Sequence, residues 1–239
     1  MKKRLLILSF LFVLPFLGFA KEPKTPIGLT FRDQPRNQMD IHFDMFAPTG
    51  AFAQTLNGSN PAGFGFNYLR RIGPRWSVGA EVGVAMYYSA EYVLQTHIGP
   101  VEMYEEDCFW TVRALARYYL VETETFKGFT EFRLGANNFF SDVSAQEEVV
   151  ADVGKTVSHG NSLVAGIGLG GELGLGAVNF KSGKKGSAFV SVRTAYNFGS
   201  PTYYRSANVP SGISNDFEEH RYYSEISYID VNLGFGMHF

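Results

Sequence analysis

The sequence predicts an all-β fold, an eight-stranded up-and-down antiparallel β-barrel that crosses a lipid bilayer. Three observations predict it. Eight segments alternate apolar and polar side chains with the period of two that a strand imposes. The connections between them alternate short and long, and ionised groups stand at the middle of the polar faces while the opposite faces are apolar at nearly every position.

The segments run over roughly 39–48, 61–71, 75–93, 108–121, 127–141, 159–175, 187–204 and 226–239. The first two, MDIHFDMF and PAGFGFNYL, carry the weaker pattern. In the third, WSVGAEVGVAMYY sets Trp76, Val78, Ala80, Val82, Val84, Met86 and Tyr88 against Ser77, Gly79, Glu81, Gly83, Ala85 and Tyr87. The fourth, WTVRALARYYL, sets Trp110, Val112, Ala114, Ala116, Tyr118 and Leu120 against Thr111, Arg113, Leu115, Arg117 and Tyr119. The same dyad recurs in TEFRLGANNFF, SLVAGIGLGGELGL and AFVSVRTAYNF. The eighth segment keeps an apolar residue at Ile229, Val231, Leu233, Phe235, Met237 and Phe239, up to the terminal carboxylate. Chain ends ordinarily fray, so this end is expected to be held in a sheet.

Alternation alone also describes a soluble antiparallel sandwich, whose apolar faces meet each other. The connections separate the two. Those near 70–75, 122–127 and 177–186 are short, that at 49–60 is intermediate, and those at 94–107, 142–158 and 205–225 are long. Short turns on one side and long loops on the other are the arrangement of a membrane barrel. The long loops are acidic, with Glu102, Glu105, Glu106 and Asp107 in the first, Asp142, Glu147, Glu148 and Asp152 in the second, and Asp216, Glu218, Glu219 and Glu225 in the third. Aromatic pairs at strand ends, Tyr87–Tyr88, Tyr118–Tyr119, Phe139–Phe140, Tyr203–Tyr204 and Tyr222–Tyr223, suit the girdles that barrels place at the membrane interface.

Residues 1–20, MKKRLLILSFLFVLPFLGFA, read as a secretory signal peptide: Lys2, Lys3 and Arg4, an apolar run, then Gly18 and Ala20 before a cleavage point. The apolar run is shorter than the roughly 20 residues of a membrane-spanning helix. Residues 21–38 form a proline-containing periplasmic lead-in, and 39–239 the barrel. Without the leader, 18 of the 21 basic residues face 23 acidic ones, a net charge of about −5 that disfavours nucleic acid as a partner. Cys108 is the single cysteine, so no internal disulfide can form and there is no site for lipid attachment after the leader.

The last residues resemble the C-terminal assembly signal of bacterial outer-membrane β-barrel proteins, with Asn232, Gly234, Met237 and Phe239 at its polar, glycine and alternating apolar positions. FNYLRRIGPRWSVGAEVGVAMYY is similar to a hairpin of the small, eight-stranded members of that superfamily. The resemblance implies a location in the outer membrane, with outer-membrane lipid and the outer-membrane assembly machinery as partners.

An eight-stranded barrel is about wide enough inside to be filled by side chains. The lumen is expected to hold Asp44, Glu81, Glu131, Glu172 and Asp230 against Arg113, Arg117, Arg133 and Arg193 as an ion-paired plug, with a narrow passive channel as the alternative. His42 and His238 are expected at its periplasmic end and His97 in a loop. GIGLGG at 166–171 matches a dinucleotide fingerprint by letters, but no helix follows, and its glycines fall on the lumen phase beside long arginines. A likeness to the lipid A deacylases would need a histidine and serine two apart on one strand face with a downstream acid; His159 and Ser162 are three apart, which puts them on opposite faces, with Glu172 downstream. Glu102, Glu105, Glu106 and Asp107 could hold a divalent cation, against the simpler reading of a solvated loop. The expected function is therefore non-enzymatic, structural or adhesive through acidic surface loops, with no catalytic residue, cofactor or metal.

Overall fold

A computed structural model describes residues 35–56, 60–96, 99–145, 155–179, 185–205 and 221–239. The signal peptide, most of the lead-in, His97, and the loop acids Glu147, Glu148, Asp152, Asp216, Glu218 and Glu219 lie outside the described residues. Among the described residues ten strands and one helix follow in order: β1 (Asn37–Thr49), α1 (Gly50–Thr55), β2 (Ala62–Arg71), β3 (Trp76–Thr96), β4 (Gly99–Glu122), β5 (Phe126–Ala145), β6 (Lys155–Asn179), β7 (Lys185–Gly199), β8 (Thr202–Arg205), β9 (Arg221–Ser224) and β10 (Ser227–His238). Each barrel strand pairs antiparallel with its sequence neighbour, and β10 skips the small β8–β9 hairpin to pair with β7 on one side and β1 on the other. The eight-stranded sheet is closed. Closure matters because an open edge of unpaired backbone groups is untenable in lipid.

The seam between first and last strands runs from Thr49 opposite Ser227 to Gln38 opposite His238. Phe239 completes it: its backbone N–H donates to the Asn37 carbonyl at 2.8 Å and its own carbonyl accepts from Asn37 at 3.0 Å. The terminal phenylalanine therefore closes a cylinder. Of the assembly-signal positions, Asn232 is buried inside and donates to Asp44, Gly234 lies opposite His42, and Met237 stands opposite Met39.

The outer wall is apolar. Ile41, Phe64, Leu134 and Leu163 are each more than 60% exposed, and Val84, Trp110, Val192 and Phe235 about half exposed, all around the cylinder. A monomer in water rarely exposes even a few hundred Å² of contiguous apolar surface, so this wall faces lipid. The sandwich alternative fails because one closed sheet has no second sheet against which to bury it. The apolar band covers Trp76 to Met86 on β3 and Trp110 to Leu120 on β4, about the 9–11 residues a tilted strand needs to cross.

Three expectations change. The described residues of the segments 94–107 and 142–158 are strand rather than loop: β3, β4, β5 and β6 are 21, 24, 20 and 25 residues long, twice what a crossing requires. Their hairpins therefore stand beyond the membrane, and pairing continues there because inward residues such as Val101, Met103 and Val143 are still buried. The expected seventh strand breaks after Gly199. Ser200 and Pro201 turn the chain away, and 202–205 pairs with 221–224 instead. The intermediate connection contains α1, whose Phe52 is buried.

Candidate functional site

Among the described residues the lumen gathers the chemistry-bearing side chains, and it has two storeys. Period-two alternation sends Asp44, Glu81, Arg113, Arg117, Glu131, Arg133, Glu172, Arg193 and Asp230 inward, and all nine are buried. Arg117, fully buried, donates to Glu131 at 2.8 and 3.0 Å and to Glu172 at 2.5 Å, with its guanidinium 3.8 Å above the Phe129 ring. Arg133 joins Glu131 (2.9 Å), Asp230 (2.6 Å) and Asn232 (3.1 Å), and Arg113 joins Glu81 (2.8 Å) and Asp230 (3.5 Å). Arg193 reaches Glu81 at 3.5 Å, Glu131 at 3.6 Å and Asp40 at 3.8 Å. The carboxylates thus bridge arginines from different strands, which is what makes burial of so many charges tolerable.

Asp40 belongs to this network although it was not among the expected lumen charges; its even position on β1, in phase with His42 and Asp44, was the available signal. His42 is not at the periplasmic rim. Its Nδ1 lies 3.1 Å from Asp40 and its Nε2 3.4 Å from Asp44 and 3.9 Å from Glu81, in the middle of the network. Gly65 beside it is required by space, since a Cβ there would collide with the imidazole. Gly170 likewise makes room for the Arg193 stem. His238 does stand at the short-turn end, 3.2 Å from Glu172.

The second storey closes the other end. Phe109 and Phe139 pack at 5.3 Å, and Phe46, Phe52, Tyr87, Tyr204 and Tyr228 surround them. Of the aromatic pairs expected in the membrane girdles, Phe139–Phe140 and Tyr203–Tyr204 are split, with Phe139 and Tyr204 buried while Phe140 and Tyr203 face outward; Tyr87 is buried in this storey and Tyr88 packs against it. Adjacent residues on a regular strand face opposite ways, which splits Phe139–Phe140, whereas the β-bulge at Tyr87 puts both tyrosines of that pair on the plug side. Tyr228 links the storeys, because its hydroxyl accepts from Arg113 Nη2 at 2.5 Å and from Asn137 at 3.2 Å. Tyr228→Phe is expected to cost about 1–3 kcal/mol through the orphaned guanidinium, read as a lowered unfolding midpoint in urea.

The histidine–serine geometry differs from expectation. A β-bulge in β6 opposite Phe139–Phe140 inserts His159 as an extra residue, so His159 and Ser162 both point inward. They do not form a pair: Ser162 Oγ donates to the Ser200 carbonyl at 2.7 Å. His159 Nε2 lies 2.5 Å from Ser141 Oγ, and Ser141 donates to Asp107. Serine sits between the acid and the histidine, whereas in a triad the histidine stands between acid and nucleophile, and the cluster faces the lumen, away from lipid. Glu172 is committed to Arg117 at the far end. The four acids expected around a cation also separate, with Glu105 and Asp107 buried inside and Glu102 and Glu106 outside. Glu105 meets Arg205 of β8, which ties the β8–β9 hairpin to β4.

No family model matches the chain, and no curated protein sequence matches it. Among solved structures it is similar to Neisserial surface protein A, at 12% identity and a TM-score of 0.48 over 84% of this chain and 93% of that one. It is similar also to Ail, the attachment invasion locus protein of Yersinia pestis, crystallised with the heparin analogue sucrose octasulfate, at 14% identity and a TM-score of 0.44 over 86% and 99%. OprG of Pseudomonas aeruginosa shares 11% identity at a TM-score of 0.36 over 86% and 97%. The fold itself stands on the closed strand pairing, the apolar wall and the filled polar lumen, the architecture of the small bacterial outer-membrane barrels.

Proposed function

We propose that the chain is a non-enzymatic barrel of a Gram-negative outer membrane that acts through its extracellular surface, in a structural, interaction or adhesion role, and that its lumen does not conduct. The double filling of the lumen carries this reading. The arginine–carboxylate network occupies the part nearer the short turns, and the aromatic plug, capped by Phe52 of α1 and Tyr204 of β8, occupies the part nearer the long hairpins. A cavity of about 430 Å³ lies at the short-turn mouth, lined in part by Lys127, Glu172, Phe189 and His238, and no residue of the aromatic plug lines it.

The surface role is supported by the hairpins that stand beyond the apolar band. Their outer face presents Glu91, Glu102, Glu106 and Asp142, with Glu106 directly opposite Asp142. That charge suits cationic partners and disfavours anionic ones.

Planar bilayers test the sealed lumen. Purified protein that migrates as a heat-modifiable band is expected to give no unitary current steps. Reproducible steps from the same preparation would replace this reading with the narrow-channel one.

A further inference from the structure

We propose that the short-turn edge of the outer wall formed by β1–β4 binds an anionic glycerophospholipid of the periplasmic leaflet, with its phosphate held by Arg70 and Arg75. This rests on the reading of the barrel as membrane-spanning. The outward residues of β2 are Ala62, Phe64, Phe66, Tyr68 and Arg70. Among the described side chains between the short turns and the level of Trp110, Arg70 is the one ionised group on the lipid-facing phase of the barrel strands. A lone cation facing lipid is costly unless it lies at headgroup depth with an anion to meet.

Its neighbours place it at that depth. Interfacial aromatics mark the headgroup level, and Tyr68, Trp76 and Tyr118 surround Arg70 on the outer wall. Trp76 and Tyr118 pack with ring centroids 4.9 Å apart, and Arg75 in the adjoining turn donates to the Tyr118 hydroxyl at 3.3 Å. Arg71, between the two in sequence, turns inward and is held by Glu122 at 2.7 Å. Arg70 and Arg75 are both exposed at the short-turn edge, and a planar guanidinium is suited to a phosphate.

The wall above them supplies a place for an acyl chain. One row across the sheet reads Tyr68, Ala80, Ala114, Leu134, so two alanines on adjacent strands lie between two bulky side chains. Ala116 extends the gap on the Arg70 side, opposite Val78. With strands about 4.8 Å apart, the resulting trough is on the order of one hydrocarbon chain wide.

Charge selects the leaflet. Both described chain ends and the short turns share this side, which is the periplasmic side of such barrels. On the opposite side the outward ionised groups are carboxylates such as Glu102 and Glu106, which repel a phosphate.

Native mass spectrometry of the refolded full barrel tests the site, after incubation with equal amounts of phosphatidylglycerol and phosphatidylcholine. The wild-type chain is expected to retain phosphatidylglycerol in preference. The double variant R70Q/R75Q is expected to lose about tenfold of that retention and to bind both lipids alike. Equal retention of the two lipids by the wild type, or an unchanged preference in the double variant, overturns the proposal. The two readings fail separately: a heat-modifiable barrel without lipid preference overturns only this site, whereas a chain that neither shifts on heating nor enters vesicles overturns the membrane reading beneath it.

Discussion

Replacing Arg117 by methionine is expected to destabilise the barrel by about 3–5 kcal/mol. Methionine keeps much of the stem that packs on Phe129, but it leaves Glu131 and Glu172 buried without their main cation. The remaining arginines cannot cover both: Arg133 reaches Glu131, while Glu172 is left with Gln38 at 2.7 Å and His238 at 3.2 Å. The measurement is the urea midpoint of the refolded protein, together with the temperature at which the folded gel band is lost. Adding E131Q and E172Q to the Arg117 variant is expected to recover most of the loss, because the larger cost is the stranded charge rather than the missing bond. A triple variant as unstable as the single one would show that packing by the guanidinium, and not charge balance, holds this storey.

Phe139→Ala is expected to cost about 3–5 kcal/mol of local packing in the other storey. Phe139 is fully buried and touches Phe52 (6.2 Å between ring centroids), Tyr87 (6.0 Å), Phe109 (5.3 Å) and Tyr204 (5.7 Å). Two of those partners belong to elements outside the barrel wall, α1 and β8. Its removal therefore loosens the cap first, while the hydrogen-bonded cylinder below persists. Trypsin added to cells or proteoliposomes reads this directly. Cleavage after Arg205 is expected to be faster in the variant than in the wild-type chain, with the band still heat-modifiable. Simultaneous loss of the folded band would mean that cap and wall form a single cooperative unit.

Much of the lumen was legible because one rule governs it. On a strand whose outer face meets lipid, a charge at mid-strand has nowhere to go but inward, so Arg113, Arg117, Arg133 and Arg193 could be placed from parity alone. Parity fails where a bulge adds a residue. His159 is such a case, and so is Tyr88, which parity sets with Met86 on the outer face but which stands opposite the buried Asp107 because Tyr87 is an extra residue. Nothing in SHGNS or AMYYS marks the insertion, because a bulge is settled by which partner residues the neighbouring strand offers. The reach of the hairpins was hidden for a related reason. Beyond the band both faces carry polar residues, so the strong contrast that marks a membrane strand fades although the ladder continues.

The sequence by itself determined a closed eight-stranded barrel, its seam at Phe239 and the two faces of each crossing strand, because alternation is a local property that survives without knowledge of neighbours. Only the tertiary structure decided which carboxylate meets which arginine, that Tyr87, Phe139 and Tyr204 build the plug, and that Arg70 and Arg75 share one edge with the Ala80–Ala114 trough. These depend on strand register and bulges, and register is fixed by the sheet as a whole.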